Sequence, residues 1–352
     1  MNEERVVLVV GATGVIGRSF IRYAGANTDW SLVGVQRSLN STVQKIAYCA
    51  VDLLDFEATK IALKKYKNIT DIVYAGYVHG SAWQSATVAN TNLLRHAVQA
   101  VEAAGNPLKR VVLLQGMKYY GSNLGPFRTP AKETDARLAV PNFYYGQEDY
   151  LVTASQGKSW DWVIFRPHVV CGATAGSPLN IVSMLGAYAV ICRELGLPLD
   201  FPGTAAAFEA ISQATDAQLL AKAISWGIVT PECSRQAFNV TNGDFFRWKN
   251  FWPKLAEFFN MKMGVQQPVD LAEVMTAKEA VWNDIVRKHG LKPVAMEKFV
   301  YWPFGNYVFS LDWDVMASTT KIRQYGFAEC LDTEDMFLTL FRKMQDDKQL
   351  PR

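Results

Sequence analysis

Gly11-Ala12-Thr13-Gly14-Val15-Ile16-Gly17 follows directly on the apolar run Val6 to Val10 and opens a segment containing Ile16, Phe20 and Ile21. A strand that ends in a glycine turn and continues as a helix brings backbone N–H groups to a ligand at the positive helix end, where a pyrophosphate binds. The strand before and the helix after distinguish this pattern from a chance glycine run. Cofactor contacts are expected at Gly11, Thr13, Gly14, Val15, Ile16 and Gly17. A plain tight turn is the alternative.

β-rich runs recur at Ser31 to Val35, Ile46 to Val51, Asp71 to Ala75, Arg110 to Leu114 and Trp162 to Arg166, with helical stretches between them. Short buried strands alternating with amphipathic helices predict an α/β fold, a Rossmann-type doubly wound parallel sheet. From about Gly172 the rhythm loosens, prolines punctuate the helices, and aromatics gather at Phe245 to Phe259 and Tyr301 to Trp313. The expected division is 1–171 as an NADP-binding Rossmann domain, with strand and helix returns from the C-terminal half, and 172–352 as a smaller, mainly helical substrate-binding part.

With 352 residues, 49% hydrophobic and 20% charged, the chain has the composition of a soluble enzyme. Its net charge of +3 is scattered rather than gathered into a stripe, which argues against a nucleic-acid partner. No apolar run approaches the roughly 20 residues of a membrane span, and Met1 to Arg5 lacks the character of a signal peptide. The five cysteines, Cys49, Cys171, Cys192, Cys233 and Cys330, are widely spaced and odd in number, so each reads as a small buried hydrophobe in a reduced, cytoplasmic compartment. A homodimer is the assembly entertained.

After the second strand the order is Gly34-Val35-Gln36-Arg37-Ser38, without the acid that holds ribose hydroxyls in an NAD site. Arginine and serine suit a 2′-phosphate, which favours NADP(H) with contacts from Gln36, Arg37 and Ser38; a solvated loop cation is the alternative for Arg37. Asp52 and Leu53 follow the third strand, where the carboxylate can accept from an adenine amine and the leucine cover the ring. Asp52 as a helix N-cap is the competing assignment.

The glycine spacing, Asp52, Asn90 in a helix, a tyrosine near 144, Arg166-Pro167 and the ending Lys321 to Phe327 together resemble the extended short-chain dehydrogenase/reductase family. More narrowly, Gly116-Met117-Lys118-Tyr119-Tyr120, Asn142-Phe143-Tyr144-Tyr145-Gly146-Gln147-Glu148-Asp149 and Phe238 to Asp244 with Trp248-Lys249 and Phe251-Trp252 resemble the progesterone 5β-reductase and iridoid synthase enzymes. The resemblance implies NADPH-dependent 1,4-reduction of activated C=C bonds in a small apolar enone or enal, with Tyr144 and Lys118 catalytic. It extends the cofactor contacts to Tyr77, Lys118, Tyr144, Pro167, His168 and Val169, and gives Tyr77, Tyr144, His168 and Phe304 as substrate contacts. Met117 before the lysine, a short insertion at Gly121 to Leu124, Tyr77 in place of tryptophan and His168 in place of a small residue depart from the group around the pocket.

Ordinary reductases of this fold keep a lysine four residues after the tyrosine; here that residue is Glu148. A phenol with an unperturbed pKa of about 10 needs a positive neighbour to act near neutrality, and Lys118 is the nearest candidate, expected to lower the phenol's pKa. Taken alone, Tyr144 also reads as a packing aromatic, as does Tyr145, and Lys118 as a surface cation. His79, His96 and His289 are isolated and read as structural, with no metal site expected. Trp302, Phe304, Tyr307 and Trp313 line a pocket or form core, and Asp216 caps a helix. A carbonyl reductase or epimerase, a nonenzymatic NADP-sensing regulator, and a cyclising enzyme are the competing functions.

Overall fold

The alternating pattern of the first half produces strands whose successive side chains enter opposite cores. In the computed structural model, which describes residues 4–37, 46–78, 83–174 and 176–352, six parallel strands come from the first half. They are β1 (Val6–Val10), β2 (Ser31–Gln36), β3 (Ala47–Ala50), β4 (Asp71–Tyr74), β5 (Arg110–Leu114) and β6 (Asp161–Pro167). A seventh, Gln236–Val240, pairs with β6, and the order across the sheet is Gln236–Val240, β6, β5, β4, β1, β2, β3. Every pairing is parallel. The order reverses between β1 and β4, which opens a crevice at the strands' carboxyl ends. Each expected strand forms, with ends shifted by one residue at most.

Both sheet faces are buried, as a parallel sheet requires. Leu8, Val10, Ile72 and Val111 face a core shared with α2 (Phe56–Leu63) and α3 (Trp83–Ala103), to which Leu94, Ala97 and Val98 contribute. Val7, Val9, Val73 and Val112 point the other way, against Phe20 and Ile21 of α1 (Val15–Asn27) and Leu220 and Ile224 of the helix Ala217–Val229. One residue along β1 therefore changes the core that a side chain enters. The Ala217–Val229 helix is capped by Asp216, whose carboxylate accepts from the N–H groups of Gln218 and Leu219 at 2.7 and 2.9 Å, as expected.

A separate aromatic core lies in the second half. Its centre is the helix Ile181–Glu194, buried from Ile181 to Cys192, packed with Trp252, Trp282, Phe299, Phe337 and Phe341. Trp302 belongs to this core. Four cysteines are buried as expected, but Cys330 is exposed, because it lies in the turn before the last helix rather than on a packed face. Among the described residues no helix is long and apolar enough to cross a membrane, and no cluster of His, Cys, Asp and Glu has the makings of a metal site.

Candidate active site

The carboxyl ends of the central strands open into a cavity of about 670 Å³, within the range of small-molecule sites. Its walls include Gly11, Thr13, Gly14, Val15, Ile16 and Gly17; Gln36, Arg37, Asp52 and Leu53; and Tyr77, Lys118, Tyr144, Pro167, His168, Val169 and Phe304. Every site residue expected from sequence that falls within the described residues meets at this one cavity. Ser38 and His79 lie outside the described residues.

The glycine turn leaves room where a side chain would intrude. Gly11 has φ +79°, and a Cβ there would sit 2.5 Å from the Ala75 carbonyl oxygen; one at Gly17 would strike the Gly11 carbonyl. Gly14 caps α1 without a side-chain hydrogen bond, and the first helical turn carries no acid, so the helix end keeps its positive character toward the cavity. Arg18 Nε donates to the Thr13 carbonyl at 2.6 Å and holds the turn in shape.

At the end of β2 both polar atoms of the buried Gln36 side chain lack a protein partner, and so does the Tyr74 hydroxyl at the end of β4. Buried polar groups are costly unless bonded, so this wall is suited to a polar ligand such as an adenosine moiety. Arg37 is exposed at the rim. Asp52 is not a helix cap: Asp55 caps α2 by accepting from Ala58 N–H at 2.9 Å, whereas Asp52 accepts from Leu54 N–H in the preceding turn. The helix starts three residues later than the capping alternative requires. His96 Nδ1 lies 2.6 Å from the Leu53 carbonyl oxygen and steadies that turn, a structural role.

Tyr144 and Lys118 are brought together by backbone ties. Asn142 caps α4 (Phe143–Ala154), its side-chain oxygen accepting from Tyr144 N–H at 3.0 Å and its amide donating to the Lys118 carbonyl at 2.8 Å. One capping residue thereby joins the helix that carries the tyrosine to the short 3₁₀ turn Met117–Tyr120 that carries the lysine. Gln115, from the end of β5, donates to the Tyr144 carbonyl at 2.8 Å. Gly116 gives close access, since a Cβ there would lie 3.2 Å from the Tyr144 hydroxyl. The Lys118 ammonium stands 4.7 Å from the centre of the Tyr307 ring.

Glu148, on the next turn of α4, points away from this pair. Its carboxylate meets the Arg166 guanidinium at 3.2 Å and Arg137 at 3.3 Å. The Arg166 side chain is only 1% exposed; it also donates to Gln115 Oε1 and the Tyr120 hydroxyl, each at 3.0 Å, and lies over the Tyr119 ring. A buried guanidinium needs a counter-charge and acceptors, which gives the carboxylate in the lysine's usual register a structural purpose. Tyr145 is a packing residue, its hydroxyl donating to the Tyr119 carbonyl at 2.7 Å.

Burial, and then the neighbouring Tyr77 and Tyr307 hydroxyls, push the Tyr144 phenol above its ordinary pKa, and burial pulls the Lys118 ammonium down. The expectation of a phenol lowered by its cation is therefore reversed: desolvation wins, and Tyr144 stays protonated as a hydrogen-bond donor. Burial also lowers His168 to about 4, so its imidazole is neutral near pH 7, and its Nε2 lacks a protein partner. The adjacent Val169 has φ +38°, an outlier for a β-branched residue on a cavity wall. Tyr74, Gln115, Tyr301 and Tyr307 also line the cavity. Sequence singled out only Tyr307 among them, as one of several aromatics with a pocket or core role.

A family model described as a PRISE-like Rossmann-fold domain matches residues 43–351. The chain belongs to this family. Its PRISE-like relatives include the (S)-8-oxocitronellyl enol synthase of Camptotheca acuminata and the 3-oxo-Δ(4,5)-steroid 5-beta-reductase of Arabidopsis thaliana, each 31% identical over 99% of this chain and 94% of the relative. A short chain dehydrogenase of Penicillium aethiopicum is 29% identical over 99% of this chain and all of its own length. With a reductase and a dehydrogenase among relatives matched over nearly their whole length, this PRISE-like chain is an oxidoreductase. Solved structures of like fold include WbmG of Bordetella bronchiseptica in complex with NAD, with TM-score 0.69 and 12% identity over 99% of this chain and 96% of that one. A Thermus thermophilus UDP-glucose 4-epimerase in complex with NAD has TM-score 0.66 and 16% identity over 96% of this chain and 99% of that one.

Proposed function

We propose that this protein is an NADPH-dependent reductase of activated C=C bonds, acting on enones or enals by 1,4-addition. The observation that carries the reading is the meeting, at one cavity, of Tyr144, whose phenol is held in its protonated form by burial, and the half-buried Lys118, their backbones tied through Asn142. The glycine cradle, the unsatisfied Gln36 amide and the Tyr74 hydroxyl fit a dinucleotide, and Arg37 at the rim fits a 2′-phosphate. The named activities of the enol synthase and steroid reductase relatives agree with this chemistry.

When bound, NADPH supplies a hydride. Tyr144 O–H donates to the substrate's carbonyl oxygen, where negative charge gathers as the β-carbon is attacked, and stabilises the enolate. Lys118, lining the same cavity, adds positive potential to the region and orients the ribose. Phe304 and Tyr77 line the cavity and offer aromatic rings to an apolar substrate. The α-carbon takes its proton from solvent, so no second acid is required of the protein.

NADPH consumption with 2-cyclohexenone, progesterone and a linear enal tests the reading. Saturated ketones or aldehydes are expected from at least one of them; allylic alcohols as the sole products overturn it. Arg37→Ala is expected to weaken NADPH binding about tenfold, the scale of one charge-assisted contact, and to leave NADH binding nearly unchanged. Equal losses for both cofactors, read by fluorescence titration, would remove Arg37 from the 2′-phosphate site.

A further inference from the structure

The helix Trp302–Phe309 of the second half contributes Pro303, Phe304 and Tyr307 to the cavity. Tyr307 packs against the same small cluster as Tyr144 and also reaches Lys118. The Lys118 ammonium lies 4.7 Å from its ring centre, inside the range in which the π face attracts a cation. Its hydroxyl is close enough to Tyr144 to help push that phenol's pKa up. Tyr307 is itself partly buried and packed against the small cluster of Met117, Tyr119, Tyr120, Tyr145 and Val315, which limits the freedom of its ring to move away.

We infer that Tyr307 is a positioning residue for Lys118, its ring face holding the ammonium at the Tyr144 end of the cavity. This rests on the reading that Lys118 serves the reaction. A lysine stem has four rotatable bonds and loses considerable rotamer freedom when fixed. An ammonium withdrawn from bulk water also needs an attractive surface in place of hydration. An aromatic face attracts the ammonium and limits where it can lie without neutralising its charge. The consequence is a division of labour: the Rossmann sheet supplies Lys118 and Tyr144, and the second half supplies the ring that keeps the cation in register.

A double-mutant cycle tests this. Tyr307→Phe retains the ring and is expected to keep kcat within about threefold of the parent, whereas Tyr307→Leu is expected to lower kcat about tenfold. NADPH affinity and melting temperature of the two Tyr307 variants are expected to change little. In a Lys118→Met background, Tyr307→Leu is expected to cause no further loss, because its effect passes through the lysine. A Leu variant as active as the Phe variant, or losses that multiply fully in the double variant, would overturn the inference. A Leu variant that loses its fold or its NADPH binding would also overturn it, by making the residue merely structural. Should Lys118→Met alone leave kcat unchanged, the underlying reading of the active site fails instead.

Discussion

Tyr144→Phe is expected to lower kcat by about 10² to 10³, the usual cost of removing one donor aimed at a developing oxyanion, while leaving the NADPH dissociation constant within about threefold. The hydroxyl is the only atom removed, and the ring's edge-to-face contact with Phe143, at 4.5 Å between centroids, is retained. The backbone ties of Tyr144 to Asn142 and Gln115 are also untouched. Single-turnover rates with enone, together with a fluorescence titration of NADPH, check both parts. An unchanged rate would take Tyr144 out of the mechanism.

The second large effect concerns the register of the cation. Lys118→Met is expected to cost about 10² in kcat, and adding Glu148→Lys, which restores a lysine four residues after the tyrosine, is expected not to recover it. At position 148 a lysine would face the buried Arg166 guanidinium, now held by the Glu148 carboxylate at 3.2 Å. Breaking such a pair and leaving the partner charge uncompensated typically costs about 3–5 kcal/mol, so Glu148→Lys alone should lower the melting temperature markedly. Thermal unfolding and kcat for the single and double variants check this. Recovery of activity in the double variant would mean that position 148 can still deliver a cation to Tyr144.

The parts of this fold that were legible in sequence are those specified locally. Each first-half strand carries its own apolar run and turn, and the glycine motif needs only its flanking strand and helix to be understood. The second half was opaque because the helix Ile181–Glu194 is buried almost all round, which removes the amphipathic period that marks a helix. The Gln236–Val240 strand joins the sheet beside β6 after a long excursion, and nothing local announces that pairing.

The candidate site divides along the same line. Gly11 to Gly17, Gln36, Arg37, Asp52 and Leu53 were found because they follow strands whose ends converge on one edge of a parallel sheet, whereas Tyr77, Lys118, Tyr144 and Pro167 to Val169 came from the family resemblance. Asp52 and Asp55 show the limit of such reasoning: both follow β3, and which one caps α2 depends on where the helix starts. Glu148 stood out only as a missing lysine, since its partner Arg166 lies on another element. The orphaned Tyr74 hydroxyl and the ring of Tyr307 against Lys118 gave no pattern at all, because an aromatic in a strand or helix looks the same whether it fills a core or faces a ligand. The direction of the Tyr144 shift was missed for a related reason: desolvation is a property of the assembled cavity.

In the proposed reaction hydride reaches the β-carbon of a conjugated carbonyl while Tyr144 holds the oxygen. Turnover of 2-cyclohexenone with NADPH deuterated at the transferred position, followed by NMR of the product, tests it most directly. Cyclohexanone labelled at the carbon β to the carbonyl is the predicted result; 2-cyclohexenol labelled at the carbinol carbon would contradict it.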